Sequence, residues 1–270
     1  MALPTISILL SVYNGATNLK HCLTSIEQQT FKDFELIYID DAATDTSLKI
    51  LYQWHEAHPH VRMTILRNTE NQGLTRSLMR GLSVAQGTYI ARIDADDWWL
   101  PNKLEKQFTF LEQHPDYGIV GCWYMNVRTS GEQQVQLPVS DVEIRKSIFW
   151  RNPFGHSCVV IRKKVLDTVG GYSTALRYGQ DRDLWFKLLP HTKLSNIPNV
   201  LCYRTVDRAT STTKTRAQIW QQFKTVHKYI WLYHSSPLAY VSFIEPLLIF
   251  LTPSWLRNYG RSIYDRISTN

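Results

Sequence analysis

Apolar residues in this chain come in short unbroken runs separated by amphipathic stretches. Ile6–Tyr13 is almost wholly apolar and predicts a buried strand, because a strand covered on both faces has no polar side. Asn18 is placed to cap a helix running to about Gln28. Phe34–Ile39 is a second run and ends in Asp40-Asp41. Thr44 or Asp45 can cap the helix after it, with Leu48, Leu51, Tyr52 and His55 on one face. Val61–Leu66 predicts a third strand. Leu74–Gln86 predicts a helix closed by Gly87. Tyr89–Ile93 predicts a fourth strand, which runs into Asp94-Ala95-Asp96-Asp97. Pro101 suits the first turn of a helix to about Gln113, and Ile119–Val127 predicts a fifth strand. Strands alternating with helices at this spacing predict an α/β protein with a mainly parallel sheet. After residue 128 the elements become shorter and mixed. Beyond about Arg204, Trp220, Phe223, Val226, Tyr229, Ile230 and Tyr233 recur at helical spacing.

Composition adds two constraints. The chain has 270 residues, enough for one large domain or a domain with an appendage, and its 44% apolar content excludes wholesale disorder. The net charge of +7 is unevenly placed: residues 200–270 hold 9 basic and 3 acidic side chains, while the rest is nearly neutral. A nucleic-acid-binding protein should line one groove with its charge, so the near-neutral sheet region argues against that partner. Cys22, Cys122, Cys158 and Cys202 show no CxxC spacing, which excludes a zinc knuckle and fits a reducing compartment. The N-terminus enters a strand with no basic segment, so no signal peptide is expected. Leu238–Pro253 is too short and too broken for a membrane span.

In an open parallel sheet, ligands bind beyond the carboxyl ends of the strands. Asp40-Asp41 and Asp94-Ala95-Asp96-Asp97 both fall there. Carboxylates that close repel one another unless a cation or several donors compensate. A divalent ion is the natural compensator, because Mg²⁺ takes one or two carboxylates and completes its shell with water and phosphates. Capping of the next helix by solvated Asp residues is the plainer alternative, and Asp97 suits it. No GxGxxG follows the first strand and no GxxxxGK[ST] is present. Phosphates must then be held by metal and side chains rather than by a glycine cradle.

These pieces together resemble the inverting family 2 glycosyltransferases. The matching segments are Ser7–Asn14, Gln29-Thr30-Phe31 leading to Asp40-Asp41, Asn71-Gln72-Gly73-Leu74, Gly87-Thr88-Tyr89-Ile90 and Asp94–Asp97 with Pro101-Asn102-Lys103-Leu104. Asn152-Pro153, His156, Gly170-Gly171-Tyr172 and Asp181-Arg182-Asp183-Leu184-Trp185 follow in family order. The resemblance implies a GT-A catalytic domain over residues 1–205, with a nucleotide-sugar half at 1–128 and an acceptor half at 129–205. Residues 206–270 form a basic amphipathic helical appendage. It further implies that Ser11, Tyr13 and Asp41 hold the nucleotide base, favouring uracil and so a UDP-sugar donor. Asp94 would lie near the ribose or base and Asp96 on Mn²⁺ or Mg²⁺. Asp181 matches the family's catalytic base and Asp183 a supporting residue. Gln180 stands where the family commonly has Glu, which leaves acceptor detail open.

Three further residues are candidates from position alone. Arg76, early in the third helix, could meet the diphosphate or simply be solvated. His156 could touch donor or acceptor, or be a hydrogen-bonded core histidine. Trp98 could face a sugar ring or anchor the core. Residues 205–216 read as a loop able to close over donor. The aromatic and basic residues after it, with Lys224, Lys228, Trp231 and Trp255, fit peripheral contact with an anionic membrane or a helical appendage with solvated charges. A saccharide or lipid-linked saccharide acceptor on the cytoplasmic face of the inner membrane is the matching expectation by analogy, with surface-polysaccharide assembly as the setting. A non-catalytic nucleotide-sugar or glycan-binding module is the alternative outside enzymes. A sugar-phosphate nucleotidyltransferase is the alternative within them.

Overall fold

The computed structural model describes residues 3–206 and 216–233. The chain divides into two compact units, Met1–Thr212 and Thr213–Asn270. In the first, β1 (Ile6–Val12), α1 (Ala16–Glu27), β2 (Phe34–Asp40), α2 (Ser47–Ala57), β3 (Arg62–Arg67), α3 (Leu74–Val84) and β4 (Tyr89–Asp94) alternate as expected. The two-residue β5 (Trp98–Trp99) and α4 (Lys103–Gln113) come next, followed by β6 (Tyr117–Arg128), β7 (Gly131–Val135) and α5 (Asp141–Ser147). A 3-10 turn (His156–Cys158), β8 (Val160–Arg162), α6 (Lys163–Thr168), α7 (Gln180–Leu188) and β9 (Lys193–Thr205) complete it. In the second unit, α8 (Arg216–Leu232) is the described element.

The strands form one sheet in the order β3-β2-β1-β4-β8-β6-β9-β5, with β7 paired to β6. β3, β2, β1 and β4 are mutually parallel, while β8 runs antiparallel to both β4 and β6. All seven residues of β2 are buried, as are six of the seven in β1. Sheet residues covered on both faces explain why these strands read as unbroken apolar runs. Burying each such Leu or Ile contributes about 1.5–3 kcal/mol.

Several helix boundaries differ from expectation, each for a physical reason. α1 starts before Asn18, because its first turn is satisfied from another loop. Ala16 N–H donates to Asp45 Oδ2 (2.9 Å) and Gly15 N–H to Ser47 Oγ (3.0 Å). α4 starts at Lys103, and Pro101 lies in the turn before it. α2 buries Trp54 rather than Tyr52, which is half exposed. Gly87 does not close α3, whose cap is Ala85 in an extended conformation. Gly87 is instead a close-approach position: a Cβ there would meet Ser7 N at 2.5 Å. The four cysteines are buried and free.

Candidate active site

The carboxyl ends of β1 and β2 are stitched together by their own turns. Asn14 and Ala42 both adopt positive φ (52° and 60°), a conformation that costs energy in residues other than glycine. Asn14 Oδ1 accepts from Thr44 N–H (2.8 Å), and Asp41 N–H donates to Val12 O (2.9 Å). This leaves Tyr13 half exposed just beyond β1 and places Ser11 opposite Asp94 in the β1–β4 register. Asp41 is buried and accepts three hydrogen bonds. Asn68 Nδ2 (2.6 Å) and Gln72 N–H (2.9 Å) reach Oδ1, and Gly73 N–H (2.9 Å) reaches Oδ2. It therefore pins the loop that starts α3. Arg76 is exposed in the first turn of that helix.

The second acidic cluster is built differently. Ligand oxygens of Asp94, Asp96 and Asp97 lie within 4.8 Å of one another. Arg92, two residues before Asp94 and so on the same face of β4, is fully buried and forks onto the Asp94 carboxylate. Ser157 Oγ donates to Asp94 Oδ2 (3.2 Å) and accepts from Asp94 N–H (3.1 Å). Asp97 is also buried. Its Oδ1 accepts from Thr205 N–H (3.1 Å), and its Oδ2 faces Arg204 Nε at 3.7 Å. Thr205 Oγ1 further donates to Asp96 O (2.5 Å). Asp96 alone of the three is exposed. Partial desolvation first, and the charge of Asp94 second, push the Asp96 carboxyl above its ordinary range. Burial and Asp94 push Asp97 up as well. A hard divalent ion would relieve that repulsion, and an all-oxygen donor set suits Mg²⁺ or Mn²⁺.

The tryptophans after the cluster pack against its loop. Trp98 stacks on His21 (centroids 4.5 Å apart) and on Tyr203 (5.3 Å). Trp99 is buried and donates through Nε1 to Ser157 O (2.8 Å). Trp98 thus braces the acidic loop between α1 and β9.

Asp181 lies in the first turn of α7, behind Gly179, whose φ of 71° turns the chain into the helix. Asn152 Nδ2 donates to Asp181 Oδ2 (2.6 Å), leaving Oδ1 with no protein donor among the described residues. Asp183 is buried and takes a hydrogen bond from Ser173 Oγ (2.6 Å), which holds the loop ahead of α7. His156 is buried and shares a 2.8 Å hydrogen bond with the Tyr172 hydroxyl. Burial, then Arg92 and Arg204, hold its imidazole well below the ordinary range, so it is a neutral core residue. Burial pushes the Tyr172 hydroxyl up, and the charges of Asp181 and Asp94 add to that shift. Arg92, Asn152, Ser157, Tyr172 and Arg204 were not assigned roles from the sequence. A cation inside an apolar strand two positions before Asp94 was the available signal for Arg92.

The profile of Glycosyl transferase family 2 matches residues 7–170. The chain belongs to glycosyltransferase family 2. The amylovoran biosynthesis glycosyltransferase AmsE of Erwinia amylovora is 34% identical over 201 residues, 72% of this chain and 74% of that protein. The glycosyltransferase EpsE of Bacillus subtilis is 36% identical over 187 residues, 68% of this chain and 66% of that one. Among solved structures, S. aureus TarS 1–349 in complex with UDP superposes with a TM-score of 0.68 at 18% identity, covering 84% of this chain and 65% of its own. The mannosyltransferase PcManGT from Pyrobaculum calidifontis, in complex with GDP-Man and Mn²⁺, gives 0.64 at 18%, covering all of this chain and 77% of its own. This chain thus spans just under two thirds of the matched TarS chain.

The fold of this glycosyltransferase is GT-A: a mainly parallel curled sheet with flanking helices and acidic residues at the strand ends. Its acidic cluster is compatible with a divalent metal. Among the described residues, no helix is long and apolar enough to cross a membrane. The expected loop at 205–216 falls almost wholly outside the described residues, as does Trp255.

Proposed function

We propose that this glycosyltransferase moves a sugar from a nucleoside-diphosphate donor, a UDP-sugar by preference, to a saccharide or lipid-linked saccharide, with inversion at the anomeric carbon. The observation that carries this reading is Asp181 Oδ1 in the first turn of α7, left unengaged among the described residues while Asn152 fixes Oδ2. Asp181 accepts the proton of the acceptor hydroxyl as that oxygen bonds to C1 of the sugar. The C1–oxygen bond to the diphosphate breaks on the opposite face, which inverts the centre. Tyr13 offers an aromatic face to the base, and Ser11 and Asp41 border the same end of the sheet. Asp96 is the residue that would hold Mn²⁺ or Mg²⁺, and the ion would offset charge on the departing diphosphate. In this reading Arg76, exposed in the first turn of α3, contacts that diphosphate.

TarS structures with UDP and UDP-GlcNAc support a uridine donor, and PcManGT with GDP-Man keeps a guanosine donor as the competing outcome. The name of AmsE supports a role in cell-surface polysaccharide biosynthesis. Residues 1–128 serve the donor and 129–205 the acceptor. The appendage, 206–270, contacts anionic lipid on the cytoplasmic face of the inner membrane. α8 exposes Trp220, Trp231, Lys224 and Lys228 for that contact. The test is turnover of UDP- and GDP-sugars by the full chain with Mn²⁺ or EDTA, with product configuration read by NMR. UDP-sugar turnover that EDTA abolishes is expected. Turnover in EDTA, or a retained configuration, contradicts the reading.

A further inference from the structure

The loop between α5 and the 3-10 turn is tied down at almost every residue. Arg182, next to Asp181 on α7, donates to Ile148 O through Nε (3.1 Å) and a terminal nitrogen (2.7 Å). Phe149 packs on Phe186 of α7 with ring centroids 5.1 Å apart. Asn152 holds Asp181 Oδ2 through Nδ2 and takes the Phe154 N–H on Oδ1 (3.4 Å). Pro153 O accepts from the buried Asn196 Nδ2 (3.0 Å), and Phe154 packs on Trp185 (5.2 Å). Trp150 stands in the middle of these anchors, its N–H on Ser147 O (2.9 Å), yet it is 46% exposed. Among the described residues of the first unit it is the one exposed tryptophan. A tryptophan in water forgoes a large apolar area that burial would otherwise remove from solvent. Here the fixed chain on both sides keeps the ring out, so its exposure is built into the loop.

We propose that the Trp150 indole is the platform on which a ring of the acceptor saccharide stacks while its hydroxyl meets Asp181. Trp150 and Asn152 lie two residues apart, so at most about 7 Å separates their Cα atoms. Asn152 itself touches the Asp181 carboxylate, so the platform is within reach of a short saccharide whose hydroxyl sits at Oδ1. A pyranose has a face of C–H groups and a rim of hydroxyls. The indole matches both, with an apolar ring face and a single N–H donor. Sites for small ligands join aromatic surface to a few fixed polar groups. Trp150 supplies the first, and Asn152 with Asp181 the second. A side chain with two torsions on a tethered loop also loses little freedom on binding. This inference rests on the transfer reading proposed above and names a residue that selects its acceptor.

The test is steady-state transfer by the full chain from the UDP- or GDP-sugar it turns over, with hydrolysis of that donor measured alongside in the absence of acceptor. The acceptor probes are the p-nitrophenyl glycosides of glucose, galactose, mannose and N-acetylglucosamine. Trp150→Ala should raise the KM of the glycoside used about tenfold or more, with donor KM changed less than about twofold and the melting temperature unmoved. Trp150→Phe should recover most of the loss, because it restores an aromatic face. Tyr52→Ala, which removes a similarly exposed ring from α2, should leave every constant at its wild-type value. An acceptor KM within about twofold of wild type in Trp150→Ala overturns the proposal. So does a fall in kcat with acceptor KM unmoved, the mark of a residue that only shapes the Asn152 loop. A wild type that hydrolyses donor and transfers to none of these glycosides overturns the saccharide platform and spares the donor reading. A wild type that neither hydrolyses nor transfers from any donor defeats the proposed function, and this inference with it.

Discussion

Asp40-Asp41 and Asp94–Asp97 occupy equivalent places, at the carboxyl ends of the two parallel strands that flank β1. Sequence position alone makes them look alike. Their hydrogen bonds separate them. Asp40 accepts from Ala43 N–H (2.9 Å) and pairs with Arg67, and Asp41 accepts three donors, so the first cluster is consumed by its own chain. The second is only partly consumed and leaves Asp96 in solvent. An acid at a strand end is therefore weak evidence of a ligand until its donors are counted. The first cluster builds the floor and edge of the site; the second keeps a charge for the substrate complex.

The contrast can be broken from either side. The largest effect should come from Asp41→Ala, which strands three donors, two of them main-chain, and should cost about 3–5 kcal/mol in denaturant unfolding. A loss below 1 kcal/mol, on the ordinary scale of a surface change, would place Asp41 outside the scaffold. Asp181→Asn should next lower the transfer rate about 10²–10⁴-fold while UDP affinity and melting temperature stay put. Undiminished transfer by the folded variant would remove it as the base.

A pH experiment probes the burial of His156. His156 is neutral in the fold, while the unfolded chain takes up a proton near the ordinary histidine value of 6.5. The unfolded state thus binds more protons below that value, so this contribution to stability is present above pH 6.5 and lost as pH falls below it. His156→Gln should flatten the acid side of the stability curve between about pH 6.5 and 5 relative to wild type. An unchanged slope would contradict the burial of a neutral ring. The smallest effect should be that of Asp96→Ala on the metal-free protein, within about 0.5 kcal/mol, because its exposed side chain holds no other side chain among the described residues.

What could be read in the sequence follows the same division. β1, β2 and β4 were legible because burial on both faces leaves unbroken apolar runs. The start of α1 was not, because Asp45 and Ser47 cap it from a distant loop. Gly87 looked like a helix terminator, yet its role is contact with Ser7 across the sheet. The acidic residues were legible as a set, whereas their partners were less so. Arg92 shares a strand face with Asp94 and could have been found by period-two reading. Arg204 comes from β9, and no local pattern links it to Asp97. Trp98 illustrates the converse: its neighbours His21 and Tyr203 come from α1 and β9, and no local pattern announces them.

The most direct measurement pairs two readouts on Asp96→Ala: UDP binding by calorimetry with Mn²⁺ or EDTA, and unfolding of the metal-free protein. The account predicts Mn²⁺-dependent UDP binding in the wild type, its loss in the variant and an unchanged unfolding midpoint. Equal UDP binding by both proteins in EDTA and in Mn²⁺ would contradict it.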